Sequence, residues 1–145
     1  MRSLRALLSL ALVGALLAVS AATVFAGGRP LSTTLSGAAE VPDPGDTDGS
    51  GQASITVNPG QGQICYTLSV SDIATATAAH IHEAPAGVAG PVVVMLVAPA
   101  DGESSSCADV SRELAKEIIK NPADYYVNVH NAEFPGGAVR GQLGR

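Results

Sequence analysis

Residues 64–70 read Ile-Cys-Tyr-Thr-Leu-Ser-Val, and this stretch decides the fold class. Large apolar side chains alternate there with smaller or polar ones, and a period of two is typical of a strand with one buried face. Residues 53–57 repeat the alternation. Residues 91–97 form a continuous apolar run, which predicts a strand covered on both faces.

Three further segments have strand character, and Gly, Pro and Asp mark the turns between strands. The additional strands are predicted at residues 31–38, 125–130 and 138–143. The turns are predicted at residues 43–45, 58–60, 85–87 and 135–137. The sequence therefore predicts an all-β sandwich or barrel.

One segment, residues 111–120, has helical spacing instead. Its apolar residues recur three and four positions apart, and Asn121-Pro122 would end the helix. Either Asp109 or Ser111 can cap its start. We therefore expect one short helix packed over one end of the β structure.

The N-terminus has the pattern of a secretory signal peptide. Arg2 and Arg5 precede an apolar run over residues 6–19, and the small-residue site at 24–26 precedes Gly27. A transmembrane anchor is the alternative, but about 20 apolar residues are needed to span a bilayer. The pattern predicts a signal peptide at residues 1–26 and a single β domain at 27–145, which is secreted or periplasmic.

The charge of the remaining chain limits its partners. Without Arg2 and Arg5, the 8 basic residues fall to 6 against 13 acidic ones, which gives a net charge of −7. Nucleic acids and anionic membrane surfaces require clustered Lys or Arg, so we expect neither as a partner. No second long apolar run follows residue 26, and we expect no membrane insertion after cleavage.

The chain has two cysteines, Cys65 and Cys107. In an exported protein the default interpretation is a disulfide, and closing a loop of this length is worth about 4 kcal/mol in the chain-entropy model. A redox or metal-ligating pair is the alternative. The cysteines lie far apart and form no CxxC motif, which favours the disulfide.

The three histidines are the candidate metal ligands. In a strand, His80 and His82 share one face with Cα atoms about 6.5 Å apart, while Ile81 points to the other face. His130 lies on the face of its strand opposite Val127. All three imidazoles thus avoid the core, and they could meet if the two strands are neighbours.

Neutral imidazoles suit copper, zinc, nickel and iron, and Glu83 could orient one of the ligands. The alternative is that the histidines are exposed or hydrogen-bonded polar residues without a metal. Weak calcium binding by Asp43, Asp46 and Asp48 is a separate possibility, although a solvated acidic turn explains these residues better.

The order of several motifs resembles the CHRD (chordin) domain over nearly all of the chain after residue 26. The motifs lie at residues 35–42, 49–53, 65–68, 79–82, 90–94, 121–130 and 134–143. The resemblance implies a Greek-key β domain of secreted proteins, either superoxide-dismutase-like or immunoglobulin-like. It identifies a module more than an activity.

The His-x-His motif is also similar, more faintly, to copper/zinc superoxide dismutase. The similarity implies copper ligation by His80, His82 and His130, and anion guidance by Arg140. For Arg140 alone, a strand-edge ion pair or a hydrogen bond to a loop carbonyl is the preferred interpretation. It alone suggests that the two histidine strands are adjacent. That family also has a bridging histidine and zinc ligands, and with only three histidines this chain lacks them.

Three functions follow from these observations. The first is binding of a copper-type ion, with zinc as the alternative, for metal handling outside the cytoplasm. The second is a non-catalytic scaffold or adhesion module without metal, which binds an extracellular protein. The third is a redox enzyme related to the dismutases, which we expect least, so catalysis is not the preferred interpretation.

Overall fold

The computed structural model describes residues 27–145. The predicted signal peptide at residues 1–26 lies outside the described residues. Within residues 27–145, no helix is long and apolar enough to cross a membrane.

The described chain contains eight β-strands, one α-helix and two short 3-10 helices. The strands are β1 (Arg29–Ser36), β2 (Ser50–Asn58), β3 (Gln63–Ser71), β4 (Ala76–Glu83), β5 (Val92–Leu96), β6 (Glu103–Asp109), β7 (Tyr125–Asn131) and β8 (Val139–Gln142). The α-helix is α1 (Arg112–Lys120), and the 3-10 helices are Gly37–Ala39 and Pro122–Asp124.

All strand pairs are antiparallel, and the sheet has the order β5-β4-β7-β8-β1-β2-β3-β6. The sheet curls into a nearly closed barrel that brings its two end strands together. The N–H of Val97, after β5, donates to the Tyr66 hydroxyl at 2.7 Å, and Ser104 on β6 donates to the Val97 carbonyl at 2.8 Å. Strand β7 returns through α1 to lie beside β4, which is the Greek-key connection that was predicted.

The barrel interior is the hydrophobic core, and the period-two pattern decides which side chains fill it. Ile64, Tyr66 and Leu68 of β3 are buried, as the alternation predicts, and so are Ile55 and Val57 of β2. They join a single cluster with inward residues of the other strands. Burial of the inward face of each strand is therefore the main stabilising contribution of the sheet.

Strand β5 corrects one prediction. It was expected to be covered on both faces, but Val92 and Met95 are exposed while Val94 and Leu96 are buried. Strand β5 ends the sheet order, and its outer side faces solvent because Val92 and Met95 on that side are not covered by other segments of residues 27–145. A continuous apolar run in this chain thus encodes a strand with an exposed apolar outer face.

Helix α1 forms where the spacing predicted it and packs against β2 and β3. Ser111 is the N-cap, and its hydroxyl accepts the N–H of Leu114 at 3.0 Å. Ala115 and Ile118 are buried against the barrel. The other capping candidate, Asp109, belongs to β6.

The predicted disulfide is present. Cys65 on β3 and Cys107 on β6 are directly opposite each other in the strand register, and their Cα atoms are 3.9 Å apart. The pair lies on the outer side of the barrel, because the neighbours Ile64 and Tyr66 point inward. No free cysteine remains for redox chemistry or metal binding.

Candidate metal centre

Strands β4 and β7 are neighbours, which confirms the adjacency suggested by the dismutase similarity. In their register Ala78 lies opposite His130, and His80 lies opposite Asn128. Ile81 and Val127 point into the core. The histidines therefore project from the outer side of one strand pair.

The three imidazoles converge. One ring nitrogen from each histidine lies within 4.8 Å of the others, and His80 Nδ1 is 3.1 Å from His130 Nε2. Two nitrogens bound to one tetrahedral ion at about 2.05 Å are separated by about 3.3 Å. The pair is thus already close to the separation that a shared ion requires.

The tautomer of His82 is fixed by the backbone. Its Nδ1 lies 2.8 Å from the carbonyl oxygen of Gly90, so this nitrogen carries the proton and donates. The lone pair is then on Nε2, which is buried without a hydrogen-bond partner in a side chain that is 8% exposed. A metal ligand needs such a lone pair, oriented by a hydrogen bond on the other ring nitrogen.

His130 is held in the same way. Its Nδ1 donates to the carbonyl oxygen of Pro135 at 3.0 Å, which leaves the Nε2 lone pair for His80 or an ion. The Oδ1 of the buried Asn128 lies 3.1 Å from the same Nε2, and it would accept the ring proton in the other tautomer of His130. Two of the three candidate ligands, His82 and His130, are therefore each oriented by a hydrogen bond to a backbone carbonyl.

Burial favours the neutral form of two of the three rings, those of His80 and His130. Burial lowers the pKa of His80, and the neighbouring His130 and His82 lower it further. Burial also lowers the pKa of His130, although its hydrogen bond to Pro135 acts in the opposite direction. Neutral imidazoles are the form that binds metal ions.

A layer of stacked side chains lies beside the cluster. The rings of His82 and Tyr126 stack with centroids 4.7 Å apart and an interplanar angle of 9°. The Arg140 guanidinium carbon lies 3.4 Å from the Tyr126 ring centroid. The Tyr126 hydroxyl accepts the N–H of Gly90 at 3.2 Å, so the ring also fixes the residue whose carbonyl orients His82.

A comparison with protein-family models identifies the family of this domain. The model described as the CHRD domain matches residues 31–143. The chain belongs to the CHRD domain family. Comparison with curated proteins and with solved structures gave no significant match.

In this CHRD domain, Arg140 is a structural donor in a buried position. It is 2% exposed, and its guanidinium donates to the carbonyls of Pro85 and Val88 at 3.1 and 3.0 Å. It therefore holds the segment before Gly90 against the barrel. Its suggested role in guiding anions stays a prediction.

Glu83 is exposed at the end of β4, and its predicted orienting role also stays a prediction. The groups that orient imidazoles in the structure are the carbonyls of Gly90 and Pro135. Sequence reasoning missed both, because any residue supplies a carbonyl and the sequence carries no signal for its direction. Tyr126 shares the outer face of β7 with His130, and its period-two spacing to His130 was the available sequence signal for it.

Chemically, the CHRD domain presents three imidazole nitrogens that are close enough to one another to hold one ion. The two cysteines are joined in the disulfide and supply no thiolate. Such a set suits a borderline divalent ion and leaves a further coordination position for water or a small ligand.

Proposed function

We propose that this CHRD domain binds a copper-type metal ion through His80, His82 and His130, for metal handling outside the cytoplasm. The observation that carries the proposal is the lone pair of His82 Nε2, which is buried without a partner beside two other imidazoles. An unsatisfied buried acceptor costs about 1–3 kcal/mol, and a bound ion would satisfy it.

Copper is favoured over zinc by the ligand set. Three imidazoles bind both ions, but divalent copper is the tighter binder at a given nitrogen site in the Irving–Williams order. Zinc is the alternative, because three histidines and a water molecule also form the ligand set of open zinc sites. The location outside the cytoplasm is supported by the signal-peptide pattern and by the disulfide, which persists in oxidising compartments.

The proposal is tested by calorimetry on the tag-free protein. Cu(II) and Zn(II) are titrated separately into the protein and into the His80→Ala/His82→Ala/His130→Ala variant. We expect each ion to bind one-to-one, with Cu(II) binding more tightly than Zn(II). In the variant we expect the affinity to fall by more than about 100-fold, because all three proposed ligands are removed.

Thr67→Ala is the matched control, because Thr67 is exposed on the outer side of β3, away from the histidines. It should bind Cu(II) like the unmodified protein. Circular dichroism establishes that all variants are folded. Weak binding of equal strength in the triple variant and the unmodified protein would refute the metal site.

A second candidate function, a non-catalytic scaffold module, is favoured by one observation. Four large apolar side chains are more than a third exposed, and they lie close together in sequence at Val88, Val92, Met95 and Val97. Exposed apolar surface of this kind is typical of protein-binding sites. A folded protein that binds no metal would make this the preferred function.

A further inference from the structure

Strand β5 borders the histidine cluster on the side of β4 that faces away from β7. In the register of β4 and β5, His80 lies directly opposite Met95, and His82 lies opposite Val92. Residues directly opposite each other in an antiparallel pair project from the same face, with Cβ atoms about 4.5–5.5 Å apart. Met95 is therefore the cross-strand neighbour of a proposed metal ligand.

The burial pattern of the two strands shows which face this is. Ile81 lies opposite Val94, one residue away from the pair of His80 and Met95, and both Ile81 and Val94 are buried in the core. Met95 is 68% exposed, the largest fraction among the exposed large apolar residues of the described chain. Because successive residues of a strand point to opposite faces, Met95 projects from the outer face that carries the imidazoles.

The Met95 side chain is free to turn toward the cluster. Methionine is unbranched and has three rotatable bonds, so its sulfur can occupy many positions around the Cβ atom. The high exposure of Met95 means that packing does not fix these bonds. The sulfur can therefore lie over the neighbouring ring of His80, which is itself only half-buried.

The two strands beside β4 contribute different groups next to His80. Strand β7 places Asn128 opposite His80, and the Asn128 side chain is already within hydrogen-bond distance of His130 Nε2. Strand β5 places Met95 there. Among residues 27–145, Met95 also has the one sulfur atom outside the disulfide, since Met1 is the other methionine.

We propose that Met95 supplies a thioether ligand to the ion held by His80, His82 and His130, so that the site binds Cu(I) as well as Cu(II). This inference rests on the proposed function. Soft thioether sulfur selects Cu(I), whereas imidazole also suits the divalent ions of copper and zinc. Met95 would fill the coordination position that three imidazoles leave open.

A thioether beside three imidazoles has a consequence for redox chemistry. A methionine in a copper site forms a long, weak bond that tunes the reduction potential of the metal. Loss of this bond should weaken Cu(I) binding more than Cu(II) binding. The copper bound by a variant without the thioether should therefore have a lower reduction potential.

The test compares Met95→Leu with the unmodified tag-free protein. Cu(I) affinity is measured without oxygen, by competition with a chromogenic Cu(I) chelator, and Cu(II) affinity is measured by calorimetry. Leucine is of similar volume and the position is exposed, so the variant should fold. We expect the Cu(I) affinity to fall by about 10-fold and the Cu(II) affinity to change by less than about 2-fold. A 10-fold change in Cu(I) affinity alone lowers the potential of this one-electron couple by about 59 mV, which voltammetry measures.

Val92→Ala is the matched control, because Val92 is exposed on the same face of β5 and lies opposite His82. It alters the apolar surface beside the cluster and keeps the sulfur, so it should bind both ions like the unmodified protein. X-ray absorption of the Cu(I)-loaded protein should show a sulfur neighbour of the copper. This neighbour should persist in Val92→Ala and be absent in Met95→Leu.

Two kinds of result would overturn the inference, and they differ in what they say about the proposed function. If Met95→Leu keeps the full Cu(I) affinity, or if the Cu(I) protein shows no sulfur neighbour, Met95 is not a ligand. The proposed function then stands, provided that the His80→Ala/His82→Ala/His130→Ala variant has lost Cu(II) binding. If that triple variant binds Cu(II) as tightly as the unmodified protein, the proposed function fails and this inference fails with it.

Discussion

The outer surface of the barrel has two contrasting halves. On the open half, strands β1, β2, β3 and β6 expose hydroxyl groups in register, with Ser54 between Ser32 and Thr67, and Thr67 beside Ser105. On the covered half, segments 37–46, 84–90 and 131–138 lie over β4, β7 and β8, and bury the polar side chains there.

The difference lies in how polar atoms are satisfied. The hydroxyls of the open half are on exposed residues and open to solvent, so their presence says little about a ligand. On the covered half each polar atom needs a partner within the protein, and most find one. Among residues 27–145, the two buried side-chain atoms without a partner, on His82 and Glu40, both lie on the covered half. This is why the proposed metal site is there.

Removal of the disulfide should produce the largest difference between the halves. Cys65→Ala/Cys107→Ala opens a loop with a sequence separation of 42 residues on the open half. We expect the free energy of unfolding to fall by about 4 kcal/mol, because the unfolded chain regains loop entropy. Urea unfolding measures this loss, and calorimetry should show unchanged Cu(II) binding in the folded variant. A parallel loss of copper affinity would contradict the independence of the two halves.

The buried carboxyl of Glu40 should make stability depend on pH. Its pKa rises from 4.5 to about 7 on folding, so between these values the folded state holds a proton that the unfolded state has lost. Stability from this group is therefore present at low pH and decreases as the pH rises through 7.

We expect Glu40 to lower the free energy of unfolding by about 2 kcal/mol from pH 5 to pH 8, with allowance for screening by solvent. Urea unfolding at several pH values measures this slope. The decrease in the free energy of unfolding from pH 5 to pH 8 should be smaller by about 2 kcal/mol in Glu40→Gln. It should be unchanged in Glu103→Gln, which lies on the open half. An identical slope in both variants would show that Glu40 is ionised in the folded protein at all these pH values.

The smallest expected effects come from the substitution of two tyrosines, Tyr126 and Tyr66, by phenylalanine. The Tyr126 hydroxyl accepts the N–H of Gly90, and the Tyr66 hydroxyl accepts the N–H of Val97. Each Tyr→Phe change removes one such acceptor, and we expect each to lower the free energy of unfolding by about 1 kcal/mol.

Copper affinity should separate the two variants. Only Tyr126 fixes the residue that orients His82, so Tyr126→Phe should weaken Cu(II) binding by about 10-fold, while Tyr66→Phe should leave it unchanged. Calorimetry measures both. Equal affinities would mean that the Gly90 carbonyl is positioned by other contacts, such as those of Arg140.

Much of the fold could be predicted from the sequence. The alternation in residues 64–70 identified β3 and its buried face, and the spacing in residues 111–120 identified α1. These are local properties, because periodicity and capping depend on residues a few positions apart. The prediction for residues 91–97 was wrong, because the same apolar run fits a fully covered strand and an end strand equally well.

For the candidate site, the sequence predicted which residues could be ligands but not how the chain brings them together. The sequence placed three imidazoles on outer faces and two cysteines in a disulfide. Adjacency of the two histidine strands came from a resemblance, since strand order is a long-range property. Glu40 gave no signal, because nothing nearby in sequence indicates that Gly137 and Arg140 will lie against it.

By itself the sequence determined which side chains of β2 and β3 point inward, where the helix lies, and which residues can ligate a metal, because each depends on local spacing. Only the tertiary structure decided that β4 lies beside β7, that three segments cover one half of the barrel, and that two polar atoms remain there without partners. The physical reason is that burial of a polar group, and the partner it then requires, are set by segments distant in sequence.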